Sequence, residues 1–216
     1  MIKLILFNLN LFFKTKKNIF EMLFFTFIIL IIFIFSFESE FINLKQNISG
    51  IFWISSLFGS TTTIFQSFSA EINNKIIDKI ILSPISLTKF VFSKIISNFV
   101  IILILQLFVF PLMIVFFNIN INFSLFWLII IIFTGNFGYV LISTFFSSLI
   151  FNEKNVLFSI LIYPLLIPLL IAIVKLMQLL LMNTIDDDFY FWLNISIGFN
   201  LIYLFLIIIL SEFAFN

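Results

Sequence analysis

The sequence predicts an all-α membrane protein with six transmembrane helices and a short amphipathic helix on the inner side, between helices 2 and 3. Two observations lead to this fold class. The 216 residues are 63% hydrophobic and 10% charged, with a mean hydropathy of +1.30, as is typical of polytopic membrane proteins. The apolar residues also fall into runs of about 20 or more, the length that a helix needs to cross the hydrocarbon core.

Polar segments divide these runs into six spans within a single membrane domain, residues 1–216. No charged residue occurs between Lys94 and Glu153, an interval long enough for two spans with a turn at residues 118–122. Shorter polar segments at residues 152–155 and 183–188 precede the fifth and the sixth span, respectively. The predicted spans are approximately residues 19–37, 48–69, 93–117, 123–150, 156–181 and 190–210.

Lysine supplies all 11 basic residues, and its distribution predicts the orientation of the chain. One side of the six-span topology would carry Lys3, Lys14, Lys16, Lys17, Lys75, Lys79, Lys89, Lys94 and Lys154. The other side has Lys45, with Lys175 near its boundary. Because lysine-rich loops stay on the inner side, we expect both termini to face the matrix or the cytoplasm. The abundance of Phe, Ile, Asn and Lys suggests an A/T-rich genome. We therefore expect the mitochondrial inner membrane, with a bacterial plasma membrane as the alternative.

The residue types that the chain lacks exclude several kinds of function. It contains no cysteine and no histidine, which excludes Ser–His and Cys–His catalysis and removes the usual soft metal ligands and haem ligands. Its five glycines form no phosphate-binding loop. We predict a non-catalytic subunit with no catalytic residue and no metal or cofactor of its own.

The segment Glu71–Pro84 lies between the second and third predicted spans and has the pattern of an amphipathic helix. At 100° per residue its five isoleucines share one half of the helical wheel. The other half carries the residues that would contact a partner, Glu71, Lys75, Asp78 and Lys79. Ser83 and Pro84 suit the N-cap and first position of the following helix. The segment is either a connector on the membrane surface or a docking helix that couples a soluble partner to spans 2 and 3.

Two other features stand out within the spans. Pro164 and Pro168 lie four residues apart in the fifth span, where each removes a backbone hydrogen bond, so we predict a kink there. Membrane helices also tolerate proline for structural reasons alone. Gly135 and Gly138 would let the fourth span pack closely against a neighbour.

Taken in order, three stretches resemble the cytochrome c maturation B (CcmB) family. The first runs from Ile64 through Glu71 and Pro84 to Lys94, with an acidic residue, an amphipathic segment, a Leu-Ser-Pro turn and a later lysine. The second is Gly135-Asn-Phe-Gly138. The third and most specific is the stretch 157–170, with its paired prolines in the sequence Tyr-Pro-Leu-Leu-Ile-Pro.

The resemblance implies the permease-like membrane subunit of an ABC-type complex in c-type cytochrome biogenesis. The implied partners are a second copy of this chain, a CcmA-like ATPase subunit that uses the ATP, a CcmC-like haem-handling membrane protein and a CcmE-like haem chaperone. Haem would be the cargo of the complex, exported or delivered to the chaperone, or released with it. The alternatives are a permease of another ABC exporter, or a hydrophobic structural subunit of a respiratory complex, which would have no ATPase partner.

Overall fold

The computed structural model describes residues 1–36, 44–73, 86–119, 122–149 and 157–210. These residues form seven α-helices and no strand. The helices are α1 (Ile2–Lys14), α2 (Lys16–Ser36), α3 (Leu44–Asn73), α4 (Leu87–Phe117), α5 (Leu125–Leu149), α6 (Leu157–Leu181) and α7 (Asp187–Leu210).

Five helical segments are long and apolar enough to cross a membrane, judged by length and composition within the described residues. They are Lys16–Ser36, Thr88–Phe117, Leu125–Ser147, Pro164–Leu181 and Asp187–Ile209. This confirms an all-α protein with membrane-spanning helices. The second predicted span falls in α3, which is not among the five, so the count of six stays a prediction.

The helices pack into one bundle in which α3 and α5 are the most enclosed. Helix α3 packs against α2, α4, α5 and α6, while α5 also contacts α4, α6 and α7. Aromatic side chains of neighbouring helices make edge-to-face contacts. Phe52 of α3 and Phe110 of α4 are one such pair, with ring centroids 5.8 Å apart. Trp127 of α5 and Phe189 of α7 make a similar contact at 5.1 Å.

Serine and threonine residues lie within the helices because their hydroxyls bond the preceding turn. The Thr26 hydroxyl donates to the Met22 carbonyl at 2.8 Å, and Ser143 does the same to Tyr139 at 2.7 Å. No water is available in the hydrocarbon core, so such internal bonds satisfy groups that would otherwise be costly to bury.

Asparagine ends two of the long helices at the positions where the sequence predicted loops. Asn118 follows α4 in the left-handed conformation, with φ 47°, and Asn183 follows α6 with φ 58°. Asparagine tolerates this conformation better than most residues, so it serves as a stop signal. Asp186 then caps α7, since its carboxylate accepts the Phe189 backbone N–H at 3.2 Å.

Candidate functional site

Neighbouring helices largely alternate in direction, so their termini collect at two ends of the bundle. At the first, the Lys16 end, α2 and α4 begin and α3 ends. At the second, the Asp187 end, α7 begins, and Ile48 near the start of α3 meets Phe117 and Leu181. In sequence, the predicted coupling segment follows the end of α3 and precedes the start of α4, and both of these termini lie at the Lys16 end.

Hydrogen bonds between buried side chains fix the register of the central helices. Helices α4 and α5 are joined by Asn98–Thr144 at 3.2 Å and by the reciprocal amides of Gln106 and Asn136, at 2.9 and 2.7 Å. We call these interhelix hydrogen bonds the polar ladder. Helix α3 joins the ladder through Ser60, whose hydroxyl lies 3.2 Å from the Tyr139 hydroxyl on α5. Tyr139 itself donates to a carbonyl of α3 at 3.3 Å.

Helices α3 and α4, with 30 and 31 residues, are longer than the crossing of a bilayer requires. Ser60 of α3 bonds Tyr139 of α5. Five residues further along α5, Thr144 bonds Asn98 of α4. The position of α3 that is level with Asn98 is therefore about five residues after Ser60. Helix α3 then continues for about eight residues to Asn73, which is about 12 Å. Helix α4 begins about 11 residues before Asn98, which is about 16 Å. Both helices therefore lead away from the ladder toward residues 74–85.

The predicted coupling residues fall only partly on described structure. Glu71 lies in the last turn of α3, which continues to Asn73, so no separate helix begins at Glu71. Lys75, Asp78, Lys79, Ser83 and Pro84 lie outside the described residues. The N-cap position of α4 is Ser86, three residues after the serine that the sequence suggested.

The paired prolines are both inside a continuous helix. Helix α6 runs from Leu157 to Leu181 through Pro164 and Pro168. The Pro164 side chain is exposed and that of Pro168 is half-buried. The helix thus tolerates both prolines, and the predicted kink stays a prediction.

Helix α1 was not predicted from the sequence, and it covers the start of α4. The Asn8 amide donates to the Ser93 hydroxyl at 3.4 Å, and the Ser97 hydroxyl lies 3.4 Å from the Ile5 carbonyl. Between these contacts lies Lys94, whose side chain is only 3% exposed. Lys94 was counted with the lysines of the inner loop, but the structure places it inside a packed helix.

Glycines bring α5 into close contact with its neighbours, as predicted. A Cβ atom added at Gly135 would overlap the ring of Trp53 on α3. One added at Gly138 would overlap the Asn200 amide oxygen on α7 and lie 2.6 Å from Leu169 on α6. The absence of a side chain at both positions lets three helices approach α5 at nearly the same level.

Three buried amide side chains were not predicted from the sequence, and one of them, Asn200, lies against Gly138. Gln106, Asn136 and Asn200 are each at most 7% exposed, and Asn200 donates to the Thr134 carbonyl at 2.9 Å. These residues hydrogen-bond helices to one another, which gives them a structural role in the bundle. Within the described ranges, no group of three Asp, Glu, His or Cys residues could hold a metal ion.

At the Asp187 end, the caps of α4 and α6 border an open cavity of about 330 Å³. Its polar lining comes from Asn118, Asn122 and Asn183, and Ile48 contributes an apolar wall. The two asparagines with left-handed backbone conformations thus stand on the same cavity.

Together these features define a polytopic helical membrane protein with two long central helices, α3 and α4. The family model for the CcmB protein matches residues 1–216, the whole chain. The chain therefore belongs to the CcmB family, and the resemblance seen in the sequence is confirmed. Membership makes it a permease-like membrane subunit of an ABC transporter of cytochrome c biogenesis. No curated protein matches the chain.

Proposed function

We propose that this chain couples ATP hydrolysis by a separate, CcmA-like ATPase subunit to the handling of haem on the opposite side of the membrane. The coupling element is the segment Glu71–Pro84 at the end of the α3 and α4 extensions. Haem, or a haem-loaded chaperone, is the cargo, and this chain performs no chemistry on it.

The length of the two extensions is the observation that carries this proposal. A connector lying on the bilayer would join two helices that stop at the membrane boundary. Instead α3 and α4 have 30 and 31 residues, about 45 Å each, whereas the hydrocarbon core is about 30 Å thick. A segment at their tips would therefore be within reach of a soluble partner. Nucleotide-driven movement of that partner would act directly on two central helices.

We propose six spans, with α3 as the second. The hydroxyl groups of Ser49, Ser55, Ser56 and Ser60 belong to residues that are 0% exposed, since they face the other helices. The exposed side of α3 presents Ile54 and Phe58. A lower overall hydropathy is expected of a central helix whose polar face is turned inward, because its neighbours shield that face from lipid.

The proposed assembly contains two copies of this chain and two ATPase subunits, together with a CcmC-like haem-handling protein and a CcmE-like chaperone. We place it in the mitochondrial inner membrane, with both termini on the matrix side, where the lysine-rich segments lie. Haem delivery or chaperone release then takes place at the Asp187 end, on the outer side.

The test is affinity purification of the full chain in mild detergent, followed by identification of the subunits that remain bound. We expect the ATPase subunit to co-purify with the wild-type chain. The double variant Asp78→Lys/Lys79→Glu retains the net charge but exchanges the two signs on the predicted polar face of the segment. It should lose most of the bound ATPase and lower the assembly of cytochrome c.

Lys175→Glu is the matched control, because Lys175 is an exposed lysine toward the Asp187 end of α6. It should retain the ATPase at the wild-type level. Equal ATPase recovery and equal cytochrome c assembly in the double variant would contradict docking through this segment. Recovery of respiratory-complex subunits in place of an ATPase would contradict the proposed function as a whole.

A further inference from the structure

Helix α1 has three distinct faces. At 100° per residue, Asn8 and Phe12 share the face that is buried against the bundle, at 6% and 7% exposure. A second face presents Ile2, Leu6 and Phe13, all exposed apolar side chains. The third face carries Lys3, Asn10 and Lys14, also exposed, and the exposed side chains of Phe7 and Leu11 border it on its other side.

The short length of α1 and its polar contacts with the start of α4 favour a position at the boundary of the hydrocarbon core. The 13 residues of α1 span about 20 Å, too short to cross a core of about 30 Å. From Asn98 to Phe117, α4 provides about 20 residues, which is one full crossing. The hydrogen bonds of α1 to Ser93 and Ser97 lie just before that crossing begins.

The charge at this boundary is strongly positive. Lys3, Lys14, Lys16 and Lys17 precede the first carboxylate of the sequence, Glu21, which pairs with Lys17 at 3.6 Å. An apolar face beside a lysine face, on a helix at the edge of the core, is the pattern of helices that lie within the interface. Acyl chains would cover Ile2, Leu6 and Phe13, so the groups that meet the lysines are lipid headgroups.

We infer that the lysine face of α1 binds the phosphate groups of anionic lipids. Lys3 and Lys14 are 11 residues apart, about 16 Å along the helix, so each contacts a different headgroup. Asn10 stands between them and supplies a neutral hydrogen-bond donor. Bound lipid would hold α1 against α4, the helix that follows the coupling segment in the sequence. This inference is independent of the proposed function.

The test uses native mass spectrometry of the purified full chain, titrated with phosphatidylglycerol or with phosphatidylcholine. Wild-type protein should bind phosphatidylglycerol more tightly. Each lysine near an anionic surface contributes about fivefold in affinity, so Lys3→Gln/Lys14→Gln should weaken phosphatidylglycerol binding by about 25-fold. Phosphatidylcholine binding should stay unchanged, and so should both affinities in the control Lys175→Gln.

Equal elution profiles and melting temperatures would establish that the double variant is folded, as expected for substitution of two exposed side chains. Unchanged phosphatidylglycerol affinity in the folded variant would overturn the inference. Wild-type lipid affinity combined with loss of the ATPase would also overturn it, and would assign the lysine face to a protein partner. Displacement of the lipid by excess inorganic phosphate would assign it to free phosphate instead.

Discussion

Gly59 is the position where one added methyl group should be most disruptive. A Cβ atom there would overlap the Thr26 hydroxyl and lie 2.9 Å from the Met22 carbonyl oxygen and 3.1 Å from Thr26 Cβ. The Thr26 hydroxyl donates to that same carbonyl at 2.8 Å, so it cannot withdraw without breaking the bond. The carbonyl belongs to the backbone of α2, so relief requires the whole helix to move away from α3.

Gly198 provides the matched control, because no heavy atom lies within 4 Å of a Cβ atom added there. Alanine in place of glycine gains about 0.8–1.0 kcal/mol of helix propensity at either site, and this gain cancels when the two variants are compared. The difference that remains is the cost of overpacking, about 1–3 kcal/mol. Gly59→Ala should therefore unfold more easily than Gly198→Ala by that amount.

The assay is unfolding of each variant in detergent micelles by added sodium dodecyl sulfate, followed through tryptophan fluorescence. The double variant Gly59→Ala/Thr26→Ala removes the overlapping hydroxyl but leaves the Met22 carbonyl contact, so it should recover part of the lost stability. If Gly59→Ala unfolds at the same detergent fraction as Gly198→Ala, the close approach of α2 and α3 at Gly59 is refuted.

Three further substitutions test the polar contacts of the bundle. Gln106→Leu leaves the Asn136 amide without its buried partner and should lower the free energy of unfolding by about 1–2 kcal/mol. In a double-mutant cycle, substituting both residues by leucine should cost less than the sum of the two single changes. Tyr139→Phe removes the hydroxyl that links α5 to α3 and should lower the free energy of unfolding by about 0.5–1.5 kcal/mol, measured by the same micelle titration. Asp186→Ala removes the N-cap of α7 and should cost about 1 kcal/mol, measured as faster amide exchange in the first turn of α7. The control Asp187→Asn leaves this cap in place and should cost only a few tenths of a kcal/mol.

The ends of α4 and α6 were predictable because they depend on local chemistry. Apolar runs of sufficient length become helices when the backbone must satisfy its own hydrogen bonds. Asn118 and Asn183 end such runs because asparagine accepts a left-handed backbone. The close packing of α5 was also predictable from local chemistry. Gly135 and Gly138 have no side chain, so either position allows a close approach by whichever helix lies next to it.

The partners of the buried groups were not predictable, because they depend on which helices are adjacent. The sequence shows Gln106 and Asn136 as two polar residues in apolar runs, and only the bundle places them within hydrogen-bond distance. Helix α1 is a different case, since its signal was present. Lys3, Asn10 and Lys14 recur on one side of a helical wheel, but Lys3 and Lys14 were interpreted only as markers of the orientation of the chain.

The closest contacts of α3 lie near its middle, between Trp53, which contacts Gly135, and Gly59, which contacts α2. If α3 rotates as a rigid body, this region is the pivot. The arm to Asn73 is about 25 Å long and the arm to Leu44 about 18 Å. A displacement of about 4 Å at the Asn73 tip would therefore swing the Leu44 end by about 3 Å in the opposite direction. Ile48 lies on that shorter arm, so a push at the Asn73 tip would reshape the asparagine-lined cavity at the Asp187 end without any change in the helix itself.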